Sequence, residues 1–155
     1  ITGVYSPFTA EANVNTEAPE YTIPFTMAHE MAHLQGYMRE EEANYLAFLA
    51  CTATKNQDLL YSAYFNAYIY TSNSLYASDR DAYLRVREKL SEDVLSDLKA
   101  NNDYWNRFDT FVAQISDSVN DTYLKVNGQS DGTASYGKVT ELLLFYYFTT
   151  IKEAL

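Results

Sequence analysis

The chain has 155 residues, 47% of them hydrophobic and 15% aromatic, and it carries a formal net charge of −10. This length and composition suit one folded domain with a sizeable core and exclude a disordered chain. Eleven basic residues against 21 acidic ones would leave most of the surface repelling phosphates, which argues against a nucleic acid as partner.

The first 23 residues have the composition of an extended, turn-rich segment. Gly3 and two prolines interrupt a run of β-branched and turn-forming residues, which predicts a strand or two rather than a helix. Within this segment, residues 11–15 (EANVN) could form an edge to which a peptide adds as a further strand, although an ordinary loop explains them equally well. Residues 24–155 are predicted to form a helical core in the same single domain.

Two helices are predicted directly after this segment. Pro24 fits the first turn of a helix, and the run FTMAHEMAHLQ then continues to Gly36, a natural C-terminal stop. A second helix is expected from about Arg39 to Ala53, and its three acidic first residues suit the positive end of the helix dipole. Only a short turn, residues 36–38, separates the two helices.

The rest of the chain is predicted to be helical apart from a loop at residues 127–135, which is rich in glycine and aspartate. Ser91 is expected to cap one of these helices. The apolar stretch 139–151 is shorter than the ~20 residues of a membrane span, so we interpret it as a core helix. Cys51 is the one cysteine and is expected to be buried. The approximate helix bounds are residues 57–72, 78–90, 92–126, with a possible break near residue 101, and 136–155.

The motif HEMAH carries the chemistry of this sequence. His29 and His33, the only two histidines, are four residues apart, so both imidazoles project from one helix face and can bind one metal ion. Imidazole pairs at this spacing are typical of zinc sites, and Glu30 is then placed to act as a general base on water. The alternative, an accidental spacing of ordinary helix residues, is much less favoured.

A catalytic zinc site usually needs a third protein ligand, and without another histidine a carboxylate is expected. Arg39 stands where a metzincin (HExxHxxGxxH) would have its third histidine, and it cannot bind a metal. Helical phase favours Glu40, which shares a face with small residues that let another helix approach closely. Glu42 aligns with two leucines and stays the alternative ligand, while a solvated acidic helix start is the competing explanation for all three glutamates.

The sequence resembles the gluzincin clan of zinc peptidases, which includes HtpX-type and CAAX-processing membrane peptidases. The resemblance rests on HExxH followed by Glu-x-x-Ala-Asn at Glu40, Ala43 and Asn44, where the clan has Glu-x-x-Ala-Asp. It implies that Glu40 is the third zinc ligand and that Asn44 supports a ligating imidazole, although asparagine lacks the charge of aspartate. The fold class expected is mainly α, a compact zincin-like helical domain.

A closer resemblance, along nearly the whole chain, is to an uncharacterised bacterial family that combines amino-terminal membrane helices with an HExxH domain. It is carried by PFTAEANVNT, PFTMAHEMAHLQGYMREEEANYLAFLAC and DGTASYGKVTELL. The resemblance implies a membrane-anchored protein whose extracytoplasmic part is this chain. The start at Ile1, with no signal-like segment, fits the expectation of a fragment.

These observations together predict a zinc-dependent metallopeptidase acting on a peptide or protein substrate. His29, His33 and Glu40 are expected to bind zinc, and Glu30 to activate water. Tyr136 could donate a hydrogen bond to the oxyanion of the reaction, although in a chain with 15 tyrosines packing is the commoner role. The alternatives are a non-catalytic zinc-stabilised binding module and an inactive sensor.

Overall fold

The structure, a computed structural model, describes residues 1–108 and 136–152, without the side chains of residues 136 and 151. These residues are mainly helical with one small sheet, which confirms the predicted fold class. Strands β1 (Gly3–Ser6) and β2 (Glu11–Val14) precede a 3-10 helix (Glu20–Thr22). The helices are α1 (Ile23–Leu34), α2 (Glu40–Thr52), α3 (Gln57–Ser78), α4 (Arg80–Arg87), α5 (Glu92–Asn106) and α6 (Tyr136–Tyr146), and a π-helical turn (Tyr147–Ile151) follows α6.

The N-terminal segment forms an antiparallel hairpin, in agreement with the predicted strands. Gly3 pairs with Val14 at the open end, and Ser6 pairs with Glu11 next to the turn. Ala10, in the turn, has a positive φ of 53°. Both strands contact α1, so the hairpin lies on the helix that carries the HExxH motif.

Helix α1 begins where the sequence predicts. Pro24 lies in its first turn, where a missing N–H costs nothing because that group has no partner inside the helix. The next free N–H, that of Phe25, donates to the buried Ser62 hydroxyl of α3 at 3.0 Å. This bond ties the start of the motif helix to α3.

The hydrophobic core lies between α1, α2, α3 and α6. Helix α2 presents its small residues to this core, since Ala43 and Ala47 are completely buried, and α1 and α6 both pack against α2. Cys51 is buried as expected, and burial raises the pKa of its thiol. The core cluster consists of Phe25, Ala47, Phe48, Cys51, Ala63, Val139 and Leu143.

Several helix boundaries differ from the predictions, and local capping accounts for the start of α4. Helix α3 continues to Ser78 rather than ending near residue 72. Helix α4 begins only at Arg80, where the Asp79 side chain accepts a hydrogen bond from the Ala82 N–H at 2.8 Å, and an aspartate in this role fixes a helix start. Ser91 caps α5 as predicted, by accepting from the N–H of Val94. Helix α5 continues through residues 101–102 without a break and ends at Asn106, short of the predicted residue 126, while the part of that prediction beyond residue 108 and the loop at 127–135 lie outside the described residues.

The apolar C-terminal helix is buried along one face only. Val139 and Leu143 of α6 belong to the core, whereas Phe145 and Phe148 are exposed. The expectation of a core helix over residues 139–151 therefore holds for that one face. In the part of the chain that the structure describes, no helix combines the length and apolar character needed to cross a membrane.

The chain divides into two compact units, with the boundary between Ser74 and Leu75 near the end of α3. The first contains the hairpin, α1, α2, most of α3, and α6. The second contains α4 and α5, and there Leu98 and Tyr104 are buried. The HExxH motif lies entirely within the first unit, and the single domain expected for residues 1–155 stays a prediction.

Candidate metal centre

The two histidines of α1 converge on one point. The Nε2 atoms of His29 and His33 are 3.0 Å apart, and the two rings stand nearly perpendicular with their centroids 4.6 Å apart. This geometry follows from the four-residue spacing, which places both side chains on the same helix face. His33 is buried, and His29 is partly exposed.

Glu40, the first residue of α2, completes the group. Its Oε2 atom lies 3.3 Å from Nε2 of His29, and its Oε1 atom lies 3.5 Å from Nε2 of His33. One potential ligand atom from each of the three residues lies within 4.8 Å of the others, so the group could hold a metal ion. Glu42, the alternative ligand considered from the sequence, is exposed and does not belong to this group.

The turn between α1 and α2 orients His33. Gly36 has a φ of +99°, its N–H donates to the carbonyl of His33, and the N–H of Tyr37 donates to the carbonyl of Ala32. These two bonds form a Schellman motif, which needs a left-handed residue such as glycine. The motif brings the Tyr37 carbonyl to within 2.7 Å of His33 Nδ1, so Nδ1–H donates there and Nε2 is left facing His29 and Glu40.

The electrostatics of the group favour a shared cation. Burial opposes ionisation of Glu40, but hydrogen bonds to His29 and His33 and their charges more than offset it and lower the Glu40 pKa to about 2. Burial likewise opposes the charged form of His33, yet the Glu40 and Tyr37 hydrogen bonds raise its pKa. The lowered pKa of Glu40 and the raised pKa of His33 both favour an ionised carboxylate beside a protonated imidazole in the metal-free protein.

Glu30 lies beside this group, on the hairpin side of α1. It is only 4% exposed, and its Oε2 atom has no hydrogen-bond partner among the described residues. Burial raises its pKa, while the charges of His29 and His33 act in the opposite direction. Glu30 is therefore a buried carboxylate with increased proton affinity, next to a group that could hold a metal ion.

An ion pair next to the third candidate ligand was missed in the sequence. Glu41 was expected to be part of a solvated helix start, but it is 5% exposed. Arg39 donates to Glu41 Oε1 through Nε at 2.9 Å and also through a terminal guanidinium nitrogen. The arginine that cannot be a ligand thus neutralises the buried carboxylate that follows Glu40, and no spacing rule in the sequence indicates this pair.

Asn44 does not make the contact expected from the family resemblance. It is buried, but its Oδ1 atom accepts a hydrogen bond from the Tyr70 hydroxyl at 2.9 Å, and its Nδ2 atom has no partner among the described residues. The Nδ1 atom of His29 is also buried without a described partner. Asn44 therefore links α2 to α3 and donates no bond to an imidazole in this structure.

The remaining candidates contribute less to the site. Tyr136 is the first residue of α6, and the role suggested for its side chain lies outside the described part of the structure. Residues 11–14 do form a strand, and among the described residues β2 pairs with β1 alone. The predicted extended segment thus lies on the motif helix.

Comparisons with known proteins place the chain in one family. No curated protein and no solved structure matches it significantly. A family model described as "Protein of unknown function (DUF3810)" matches residues 1–144, which include every residue of the candidate metal centre and the hairpin that covers it. With nearly its whole length matched, the chain belongs to the DUF3810 family of proteins of unknown function.

Proposed function

We propose that this domain is a zinc-dependent peptidase in which His29, His33 and Glu40 bind the metal and Glu30 is the general base. The observation that carries the proposal is the convergence of two imidazole nitrogens and one carboxylate, next to a second, buried carboxylate on the same helix. Two imidazoles and a carboxylate leave one coordination position open, as catalytic zinc sites do.

The distances within the group suit zinc. Bonds of about 2.0–2.1 Å in a tetrahedral arrangement separate the ligand atoms by about 3.3 Å. The corresponding separations here are 3.0, 3.3 and 3.5 Å. When both imidazoles present a deprotonated Nε2, the three atoms are all acceptors and a cation between them would stabilise the group, and zinc prefers this mixture of nitrogen and oxygen ligands.

Glu30 supplies the proton transfers in the proposed reaction. Zinc, when bound, acts as a Lewis acid that polarises the peptide carbonyl and acidifies water. Glu30 takes a proton from the attacking water and later donates it to the leaving amine. Burial raises its pKa, which makes it a better proton acceptor than an exposed glutamate, and its position in sequence next to His29 keeps it at the metal.

A peptide or protein substrate follows from the same proposal. Strand β2 offers a further edge on the hairpin that lies on α1, and an extended peptide can bind such an edge through main-chain hydrogen bonds. We further propose that an anchor outside this chain attaches the domain to a membrane on its extracytoplasmic side. That step rests on the family resemblance of the sequence alone.

A purely structural zinc site is the second candidate function. Its support is that the ligands come from both α1 and α2, which are joined by only five residues, so one ion would hold the two helices together. Such a site has no need of a base. Glu30 therefore distinguishes the two candidates, because a structural site would function equally well with glutamine at this position.

The test combines metal analysis with peptide-cleavage profiling of the purified chain and three variants. Glu30→Gln should retain zinc, and its cleavage rate should fall by at least 100-fold, since general-base catalysis contributes a factor of about 10²–10⁴ to the rate. Glu40→Gln should lose zinc, and the matched control Glu42→Gln, which changes an exposed glutamate two residues later, should lose neither. Full zinc occupancy with equal cleavage by wild type and Glu30→Gln would leave only the structural site. A wild type that takes up no zinc at neutral pH would overturn both candidates.

A further inference from the structure

The backbone of strand β1 lies directly against the side chain of Glu30. A Cβ atom built on Gly3 would lie 2.5 Å from Oε1 and 2.7 Å from Cγ of Glu30, and 2.9 Å from the carbonyl oxygen of Asn13. Carbon atoms do not approach heavy atoms this closely, since dispersion attraction is optimal near 3.5–4.0 Å. Strand and glutamate can be in contact only because residue 3 has no side chain.

The same face of β1 also reaches the second histidine. Tyr5, two residues after Gly3 and so on the same side of the strand, has its ring centroid 6.3 Å from that of His33. Glu30 and His33 are three residues apart on one face of α1. Two same-face residues of β1, Gly3 and Tyr5, thus lie beside Glu30 and His33 of the motif helix.

The hairpin leaves β1 little freedom to withdraw from Glu30. Gly3 is paired with Val14 across the sheet, and just beyond this pair the N–H of Asn15 donates to the carbonyl of Thr2 at 2.8 Å. Moving β1 away from α1 would require the whole hairpin to move. The Oε2 atom of Glu30 has no hydrogen-bond partner among the described residues, so at that atom only packing, such as the contact with β1, restricts the side chain.

We propose that Gly3 is a positioning residue, which allows strand β1 to press on Glu30 and hold its carboxylate toward the metal centre. The inference rests on the proposed function of Glu30 as the base. It assigns to the N-terminal hairpin a role in catalysis beyond offering an edge to a peptide. A base whose orientation depends on packing loses efficiency when its neighbour changes, because misplacement by about 1 Å can cost on the order of 100-fold.

The first test is Gly3→Ala, with steady-state peptide cleavage and zinc stoichiometry as readouts. We expect kcat to fall by about 10- to 100-fold, while KM and zinc content stay close to those of wild type, because the added methyl group displaces the base and not the ligands. Gly137→Ala is the matched control, since a Cβ there meets nothing within 4 Å. It should leave kcat, KM and zinc content unchanged. An unchanged kcat, or a loss of zinc that accounts for the lost activity, would overturn the inference.

The second test measures the contact between Gly3 and Glu30 through thermal stability. It therefore needs no cleavable substrate and applies also where Gly3→Ala lowers the stability of the fold. The change in Tm caused by Gly3→Ala is compared in the wild-type and Glu30→Ala backgrounds. The decrease in Tm should be smaller by several degrees where Glu30 is truncated, because the two nearest atoms to the added Cβ, both of Glu30, are then absent. Equal losses in both backgrounds would show that Gly3 does not act through Glu30. An inactive wild type would overturn the proposed function, and with it the catalytic role of Gly3, whatever the coupling.

Discussion

The Nδ1 atom of His33 lies 2.7 Å from the main-chain oxygen of Tyr37, only four residues further along the chain. This bond connects the end of the motif helix with the candidate metal centre, because the turn that stops α1 also determines which nitrogen of His33 faces His29 and Glu40. The carbonyl reaches His33 only when Gly36 adopts its left-handed conformation. Helix termination and ligand orientation are thus produced by one local structure.

Replacing Gly36 by alanine should therefore weaken both folding and zinc binding. A Cβ there meets no atom within 4 Å, so the cost is conformational, about 1–2 kcal/mol for a left-handed residue. We expect a Tm lower by about 2–8 °C and a zinc affinity about tenfold lower through the displaced Tyr37 carbonyl. Asparagine tolerates the left-handed conformation better than alanine, so Gly36→Asn should lower the Tm and the zinc affinity less than Gly36→Ala does. Equal behaviour of the two variants by calorimetry and zinc titration would contradict this account.

The pH dependence of stability should change sign when zinc is added. The lowered pKa of Glu40 contributes stability that is present above pH 4.5 and lost as the pH falls toward 2. The raised pKa of His33 contributes stability that is present below pH 6.5 and lost as the pH rises through the raised value. Both contributions belong to the metal-free protein.

Under the proposed function zinc competes with a proton for His33, so the increase in Tm on adding zinc should be small at pH 5 and should grow above pH 7. Thermal unfolding with zinc or with a chelator, at several pH values, measures this difference. An increase that is larger at pH 5 than at pH 8 would show that zinc does not bind through His33.

Tyr70→Phe should destabilise the fold without disturbing the ligand atoms. The substitution keeps the ring, which packs 6.3 Å from that of Phe25, but removes the hydroxyl that donates to the buried Oδ1 of Asn44. A buried acceptor left without its donor costs about 1–3 kcal/mol. Tyr64→Phe, which removes the hydroxyl of a residue that is 54% exposed, is the matched control and should change the urea midpoint very little. Similar shifts for both variants would argue against the buried bond.

The sequence was sufficient for the parts of the site that depend on helix geometry. The spacing of His29 and His33 placed them on one face, and helical phase favoured Glu40 over Glu42, in agreement with their positions in the structure. Pro24 and the acidic start of α2 indicated where the two helices begin. These features depend on neighbours within about four residues, which local pattern rules describe well.

The contacts that complete the site were not predictable in this way. Gly3 carries no chemical group that would indicate its contact with Glu30, which comes from a strand 27 positions earlier. The expected partner of Asn44 was an imidazole, yet its oxygen accepts from Tyr70, a residue of another helix. Each of these contacts depends on how elements distant in sequence pack together, and composition and periodicity contain no information about that.

The ion pair beside Glu40 allows a sharp comparison with an exposed pair. Arg39→Ala would leave the carboxylate of Glu41, whose side chain is 6% exposed, without its cation. Loss of one partner of a fully buried pair costs about 3–5 kcal/mol, and because the Arg39 side chain is itself 56% exposed we expect a smaller loss, about 1–3 kcal/mol.

Lys99→Ala breaks the Lys99–Asp103 pair, in which both side chains are exposed, and its free energy of unfolding should be nearly unchanged. Adding Glu41→Gln to Arg39→Ala should restore part of the lost stability, because a neutral amide is buried at lower cost than a carboxylate. Urea unfolding of the wild type and of these three variants measures each value. If Arg39→Ala were no worse than Lys99→Ala, or if Glu41→Gln gave no recovery, the buried charge of Glu41 would not be what Arg39 stabilises, and the start of α2 would owe its position to core packing alone.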